Sequence, residues 1–257
     1  MAGMDVETHT AAVAEQGALL AAAAEGTDPG AAVPTCPEWT LRDLVRHTGG
    51  VHRWATAFVV EGRTEPWPAD LEEVAGGWPT DSGLTEWFRA GLAGLVAALA
   101  GADPDLECWS FLPAPSPLAM WARRQAHETT IHRVDAELAA ARPVTEIPPA
   151  LAADGIDELL TCFAPRRRMP GRDGGPRVVA IRPTDVGQGW LVTVGPDGAR
   201  TTVEEAVGNE APDCVVSGPA SDLYRALWHR PGPDAPAVAG DGEVAQALLG
   251  RLHVNWS

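Results

Sequence analysis

The stretch from Met120 to Ala140, MWARRQAHETTIHRVDAELAA, constrains this chain most, because it sets ionisable groups on a helix with an otherwise apolar seam. At about 100° per residue, Glu128 and His132 fall about 40° apart, one turn from each other on a single face. A carboxylate and an imidazole so placed can share one metal ion. Asp135, seven residues after Glu128, returns to the same face. His127 completes the string H-E-x-x-x-H, but it diverges from His132 by about 140°, so the zinc-protease spacing H-E-x-x-H is absent. A structural zinc usually takes four protein ligands and a catalytic one about three, so another element has to bring a further ligand to this helix.

The earlier helices are delimited by local signals. Val6 to Ala24 is rich in Ala and Leu and is stopped by Gly26 and Asp28-Pro29-Gly30. After the extended PTCP segment, Thr40 is a natural N-cap with Asp43 three residues on, which predicts a helix from Leu41 to about Val60. Its inward face carries Leu41, Leu44, Val45, Val51, Trp54, Ala55 and Phe58. His47 lies near that seam. His52, about 140° away in azimuth, is displaced toward the polar side with Arg42 and Arg53. A Pro-, Gly- and Trp-containing stretch, Glu61 to Thr80, is long enough to form a cover. A third helix is expected from Leu84 to Leu99, then a loop from Cys108 to Pro117, then the helix of the opening stretch with Ser116 as cap and Pro117 in its first turn. Four such helices fit a four-helix bundle, a fold that assembles metal sites from facing side chains.

The segment ARPVTEIPP, Ala141 to Pro149, is the linker, which divides the chain into a bundle over 1–145 and an α+β domain over 146–257. The second domain should open with a helix from Ala150 to Cys162. Strands follow at Arg177–Arg182, Gly189–Val194, Thr201–Glu204 and Asp213–Ser217, with Pro196-Asp197-Gly198 as a hairpin turn. Two helices, Ala220–Trp228 and Glu243–Leu252, flank the Pro/Gly loop Arg230 to Gly242.

Charge narrows the partners. A formal charge of −16 repels phosphate backbones and anionic lipid, so neither nucleic acid nor a membrane surface is expected. The acidic N-terminus and the short apolar run Ala18–Ala24 are unlike a signal peptide or a membrane span, which predicts a cytoplasmic protein; no motif decides between a monomer and a homodimer. Cys36, Cys108, Cys162 and Cys214 lack C-x-x-C pairing, against a zinc ribbon or redox motif. The run Arg166 to Arg168 reads as a solvated patch or a counter-charge in an acidic protein.

Val33 to Ala55, VPTCPEWTLRDLVRHTGGVHRWA, taken with ARRQAHETTIHRVDAE at Ala122 to Glu137, resembles the mycothiol-dependent maleylpyruvate isomerase family of actinobacteria, whose N-terminal bundle is DinB-like. The resemblance continues into DCVVSGPASDLYRALWHRPG, Asp213 to Gly232, which is similar to the family's sterol-carrier-like C-terminal domain. It implies that the metal ligands are His47, eight residues after Trp39, and the E-x-x-x-H pair Glu128 and His132. It also implies a functional arginine at Arg230, which on its own could equally cap its helix. His52 and His127 are then outer or surface groups, and Asp135 is either an acceptor for an imidazole or a helix-surface acid.

The family implies a divalent metal, zinc first, although two histidines and a carboxylate also suit iron, nickel or manganese. It further implies a small thiol, mycothiol, as cosubstrate for isomerisation of, or S-transfer to, a small electrophile. Two other readings use the same residues: a hydrolase with metal-bound water as nucleophile, and a non-catalytic metal- or thiol-binding stress or regulatory module.

Overall fold

In the computed structural model, which describes residues 4–166, 175–195, 198–204, 212–250 and 252, helix ends fall where local capping chemistry puts them. Asp5 accepts from the Thr8 amide at 2.8 Å and opens α1 (Val6–Ala24). The reciprocal box of Thr40 and Asp43 opens α2 (Leu41–Glu61), with the Thr40 amide 2.9 Å from Asp43 Oδ2. A short helix α3 (Leu71–Val74) interrupts the long connection, and α4 (Leu84–Gly101) follows a single 3₁₀ turn at Asp81–Gly83. Ser116 caps α5 (Pro117–Ala139), accepting from the Ala119 amide at 3.2 Å.

The chain divides into two compact units, one of Met4–Thr145 and one that begins at Glu146. In the first, α5 packs on α1 and α2, and α4 packs on the same two helices. The core between them holds Val13, Leu20, Leu44, Phe58, Phe88, Leu95, Trp121 and Ile131, all fully buried. Gly49 lets α2 and α4 approach: a Cβ there would run into the Trp87 ring. The opening stretch has more than one apolar seam, since nearly all of Met120–Glu137 is buried. Its charges are therefore paired internally. Arg133 Nε donates to Gln16 Oε1 at 3.0 Å and its Nη1 donates to Glu137 Oε2 at 2.7 Å, while the Thr145 hydroxyl donates to Glu137 Oε1 at 2.6 Å.

The second unit opens with α6 (Pro149–Asp157), which passes into a π-helical segment, Glu158–Phe163, where a uniform helix was expected. Its five-stranded sheet has the order β3-β2-β1-β4-β5, formed by β1 (Arg177–Pro183), β2 (Gly189–Gly195), β3 (Gly198–Glu204), β4 (Cys214–Gly218) and β5 (Ala237–Gly240). Among the described residues, β1 and β4 alone pair in parallel, with Val179 opposite Cys214; the other pairs are antiparallel, with Ile181 opposite Trp190. Strand β5 lies inside the segment expected to be a Pro/Gly loop. It is a four-residue edge strand exposed along its length, so it carries no apolar alternation to announce it. Two helices complete the unit, α7 (Ala220–Leu227) and α8 (Gly242–Leu249), the second ending short of the expected Leu252. Gly195 pairs with Gly198, whose φ of 113° suits a tight hairpin; Pro196 and Asp197 of the expected turn lie outside the described residues, as do Arg167 and Arg168. The architecture is a helical bundle followed by an α+β unit. Among the described residues, no helix is long and apolar enough to cross a membrane.

Candidate metal centre

Helices α2 and α5 run antiparallel and bring three donors together. The ligating atoms of His47, Glu128 and His132 lie within 4.8 Å of one another. His47 Nε2 is 3.3 Å and His132 Nε2 is 3.2 Å from the same oxygen, Glu128 Oε1. Charge-assisted N–H···O bonds are shorter, about 2.7–2.9 Å. The observed spacings instead match the edge of a tetrahedron, about 3.3 Å, drawn by ligands 2.0–2.1 Å from a central zinc. Glu128 and His132 are buried and His47 is partly exposed, so the cluster reaches solvent past His47.

The electrostatics also fit a cation. His132 Nδ1 lies 2.9 Å from Asp135 Oδ2, and a carboxylate only accepts, so Nδ1 carries a proton. In the neutral ring that leaves an electron pair on Nε2 facing Glu128 Oε1, an arrangement of two acceptors that either a proton or a metal ion must bridge. Burial works to lower the His132 value, but the hydrogen bonds and charges of Asp135 and Glu128 outweigh it and raise it above the ordinary imidazole range. For Glu128, burial works to raise the carboxyl, yet the bonds from His132 and His47 and the charge of Arg124 hold it well below the usual carboxylate range. Burial dominates at His47 and lowers it. A metal needs all three donors deprotonated, and of the two imidazoles His132 is the one whose surroundings favour the proton.

Neighbouring groups fix the donors in place. Arg124, one turn before Glu128, donates Nη2 to Glu128 Oε2 at 3.2 Å, which leaves Oε1 turned toward both imidazoles. The ring of Trp39 lies 4.8 Å from that of His47 and 5.9 Å from that of His132, centroid to centroid. Thr35 donates its hydroxyl to Asp135 Oδ1 at 2.5 Å. Asp135 is thus an acceptor for an imidazole, fully buried, and not a helix-surface acid. Thr35 had no signal in the spacing pattern, whereas Arg124 stands at i,i+4 to Glu128, a helix-face pair that spacing alone could have found.

Two histidines differ from expectation. His52 is fully buried, with Nε2 2.9 Å from Thr129 Oγ1 and its ring 5.3 Å from Phe88. Because α2 packs on both α4 and α5, an azimuth away from the apolar seam is still interior. His127 is buried too and turns to His9, with ring centroids 6.1 Å apart, away from the three-donor cluster. Two turns along the same helix pair, Trp54 meets Trp121 edge to face at 5.2 Å. Trp54 donates to the Trp67 carbonyl at 3.0 Å and Trp121 to the Trp109 carbonyl at 2.9 Å, so both long connections are pinned against this seam.

In the second unit, Arg230 follows α7 and is buried, donating Nη1 to the Trp228 carbonyl at 2.7 Å. That bond reaches the carbonyl of the residue that ends α7, the contact a helix-capping role requires.

Residues 10–137 match the Mycothiol maleylpyruvate isomerase N-terminal domain, and residues 150–249 match the MDMPI C-terminal domain. Among solved structures, the fold is similar to the crystal structure of the mycothiol-dependent maleylpyruvate isomerase, at 18% identity and a TM-score of 0.61 over 93% of this chain and 96% of that one. A mutant of that enzyme with a histidine replaced by alanine matches at 16% identity and a TM-score of 0.60, over the same 93% and 96%. No curated protein sequence matches the chain.

Proposed function

We propose that this chain, which belongs to the mycothiol-dependent maleylpyruvate isomerase family, is a metal-dependent enzyme that uses a small thiol to isomerise, or to transfer sulfur to, a small electrophilic substrate. The observation that carries this reading is the three-donor cluster of His47, Glu128 and His132, whose donor atoms lie within 4.8 Å of one another, with both imidazoles 3.2–3.3 Å from one carboxylate oxygen.

These three residues would hold the ion, zinc by donor type, and leave at least one position for an exogenous ligand. When bound there, a divalent cation supplies the positive charge that keeps an incoming thiol in its thiolate form. The chain's own residues do the rest. Arg124 restricts Glu128 to one oxygen, Asp135 holds His132 in the tautomer that presents Nε2, and Trp39 covers the imidazoles on one side. The cosubstrate, by family membership mycothiol, adds through sulfur to an activated carbon; in isomerisation the adduct rotates about the former double bond and expels the thiol, and in transfer the conjugate leaves. Arg230 is the candidate partner for an anionic substrate group, since a guanidinium fork suits a carboxylate and the protein as a whole is acidic. We assign the metal chemistry to residues 1–145 and Arg230 to a substrate-side domain over 146–257. Four cysteines that form no disulfide among the described residues suit a reducing cytoplasm.

The test is to replace His47 or Glu128 by Ala and measure bound zinc together with mycothiol-dependent turnover of an electrophile panel. Loss of both is expected, and full retention of both in either variant overturns the assignment. Turnover that persists when thiol is omitted would instead assign hydrolysis, and tight metal binding with no turnover would assign a binding module.

A further inference from the structure

The segment between α1 and α2 is tied to the metal centre by side chains that no ligand motif includes. It folds back on itself: Val33 donates to the Trp39 carbonyl at 3.0 Å, Cys36 to that of Val33 at 3.0 Å, and Trp39 to that of Cys36 at 2.8 Å. This places the Thr35 hydroxyl on Asp135 Oδ1 at 2.5 Å, the Cys36 sulfur 4.0 Å from Oδ2, and the Trp39 ring beside His47 and His132. The loop thus reaches both oxygens of Asp135, Thr35 at Oδ1 and Cys36 at Oδ2, and Oδ2 also faces Nδ1 of His132.

We propose that Thr35 is a positioning residue of the metal centre: through Asp135 it fixes the orientation and tautomer of His132, and it couples ion binding to the order of the Val33–Thr40 loop that carries Trp39. The inference rests on the reading of His47, Glu128 and His132 as ligands. Three features argue for a coupling beyond loop packing. The hydroxyl is pointed at a carboxylate whose other oxygen is already committed to a ligand ring. An unconstrained aspartate can rotate about its side chain and release Nδ1, which would let the imidazole adopt its other tautomer. Groups that hold a metal-ligating imidazole from behind set metal affinity by about ten- to hundredfold.

Thr35→Val keeps the shape and removes the donor; Thr35→Ser keeps the donor; Asp135→Asn removes the carboxylate. Zinc affinity of the full chain is measured by chelator competition, and amide hydrogen exchange at Val33, Cys36 and Trp39 is followed with and without zinc. In the parent protein zinc should slow exchange at these amides. T35V should bind zinc about tenfold more weakly and lose the zinc-dependent slowing, D135N should lose more, and T35S should recover both. Parent-like affinity in T35V, or loop exchange indifferent to zinc, overturns the proposal, and a T35S variant as impaired as T35V assigns the effect to packing and overturns it as well. A His47→Ala control separates the two readings: if it retains parent-like zinc binding, the ligand assignment itself has failed, whereas loss of binding in it beside normal T35V refutes only the role of Thr35.

Discussion

Nδ1 of His132 sits 2.9 Å from Oδ2 of Asp135, and that bond decides which ring nitrogen is left for a metal. With Nδ1 protonated, zinc and a second proton compete for Nε2, and the raised value of His132 means the proton is a strong competitor. Zinc affinity should fall on acidification by about tenfold per pH unit once the pH is below the His132 value, with about one proton released per ion bound. Chelator competition between pH 6 and pH 8 checks this. A flat profile would show that His132 does not titrate against the metal.

Glu128 supplies the negative charge of the donor set, and Glu128→Gln removes it while preserving shape. If each of about four ligands shares a binding free energy of 10–16 kcal/mol, losing one weakens zinc on the order of 3 kcal/mol, or roughly hundredfold. The parent protein should gain about 2.7 kcal/mol of stability at zinc one hundredfold above its Kd. Thermal unfolding with added zinc should show that gain in the parent and little of it in E128Q.

His52 is depressed to about 3 by burial, with the charge of Glu128 opposing. A folded value below the unfolded one means that the unfolded chain takes the proton first. The stability from a neutral His52 is present above the unfolded value near 6.5 and is lost as pH falls from there toward 3, at up to about 1.4 kcal/mol per pH unit. In the metal-free protein His47 contributes with the same sign. His132, raised, contributes stability present below its unfolded value and lost as pH rises through the folded one. Urea unfolding of metal-free His52→Gln, whose amide can still donate to Thr129, should show a flatter decline in acid than the parent.

Gly49 stands two residues after His47 and against the Trp87 ring. Gly49→Ala forces that indole aside and should destabilise the bundle by about 1–3 kcal/mol despite the better helix propensity of alanine. Denaturant midpoints at constant slope measure it.

Arg230→Lys retains the charge and removes the fork. A charge-assisted bond pair of about 1.5–3 kcal/mol predicts a tenfold to hundredfold loss of kcat/KM for an anionic electrophile. Zinc affinity should be unchanged, which distinguishes a substrate role from a collapse of the fold.

Much of this was legible in local chemistry. The Thr40–Asp43 box and the Ser116-Pro117 start are read within four residues, and both helices begin where those signals stand. The spacing of Glu128 and His132 put two of the three clustered donors on one helix face. His47 needed the family resemblance, because periodicity on α2 ranks inward positions but does not say which neighbouring helix they face. His52 misled for a related reason: α2 has two covered flanks, and a single apolar seam describes one of them. Thr35 and Asp135 are 100 residues apart, and nothing periodic in either segment records that they meet.

His47 and Glu128 are 81 positions apart, yet their donor atoms stand 3.3 Å from one another. An ion gripped by both would act as a removable cross-link, closing a long loop of the unfolded chain in a protein whose cysteines form no disulfide among the described residues. Closure of that loop costs conformational entropy, which the ion offsets only while it is bound. Supply of metal would then set how long the bundle survives as well as whether the enzyme turns over.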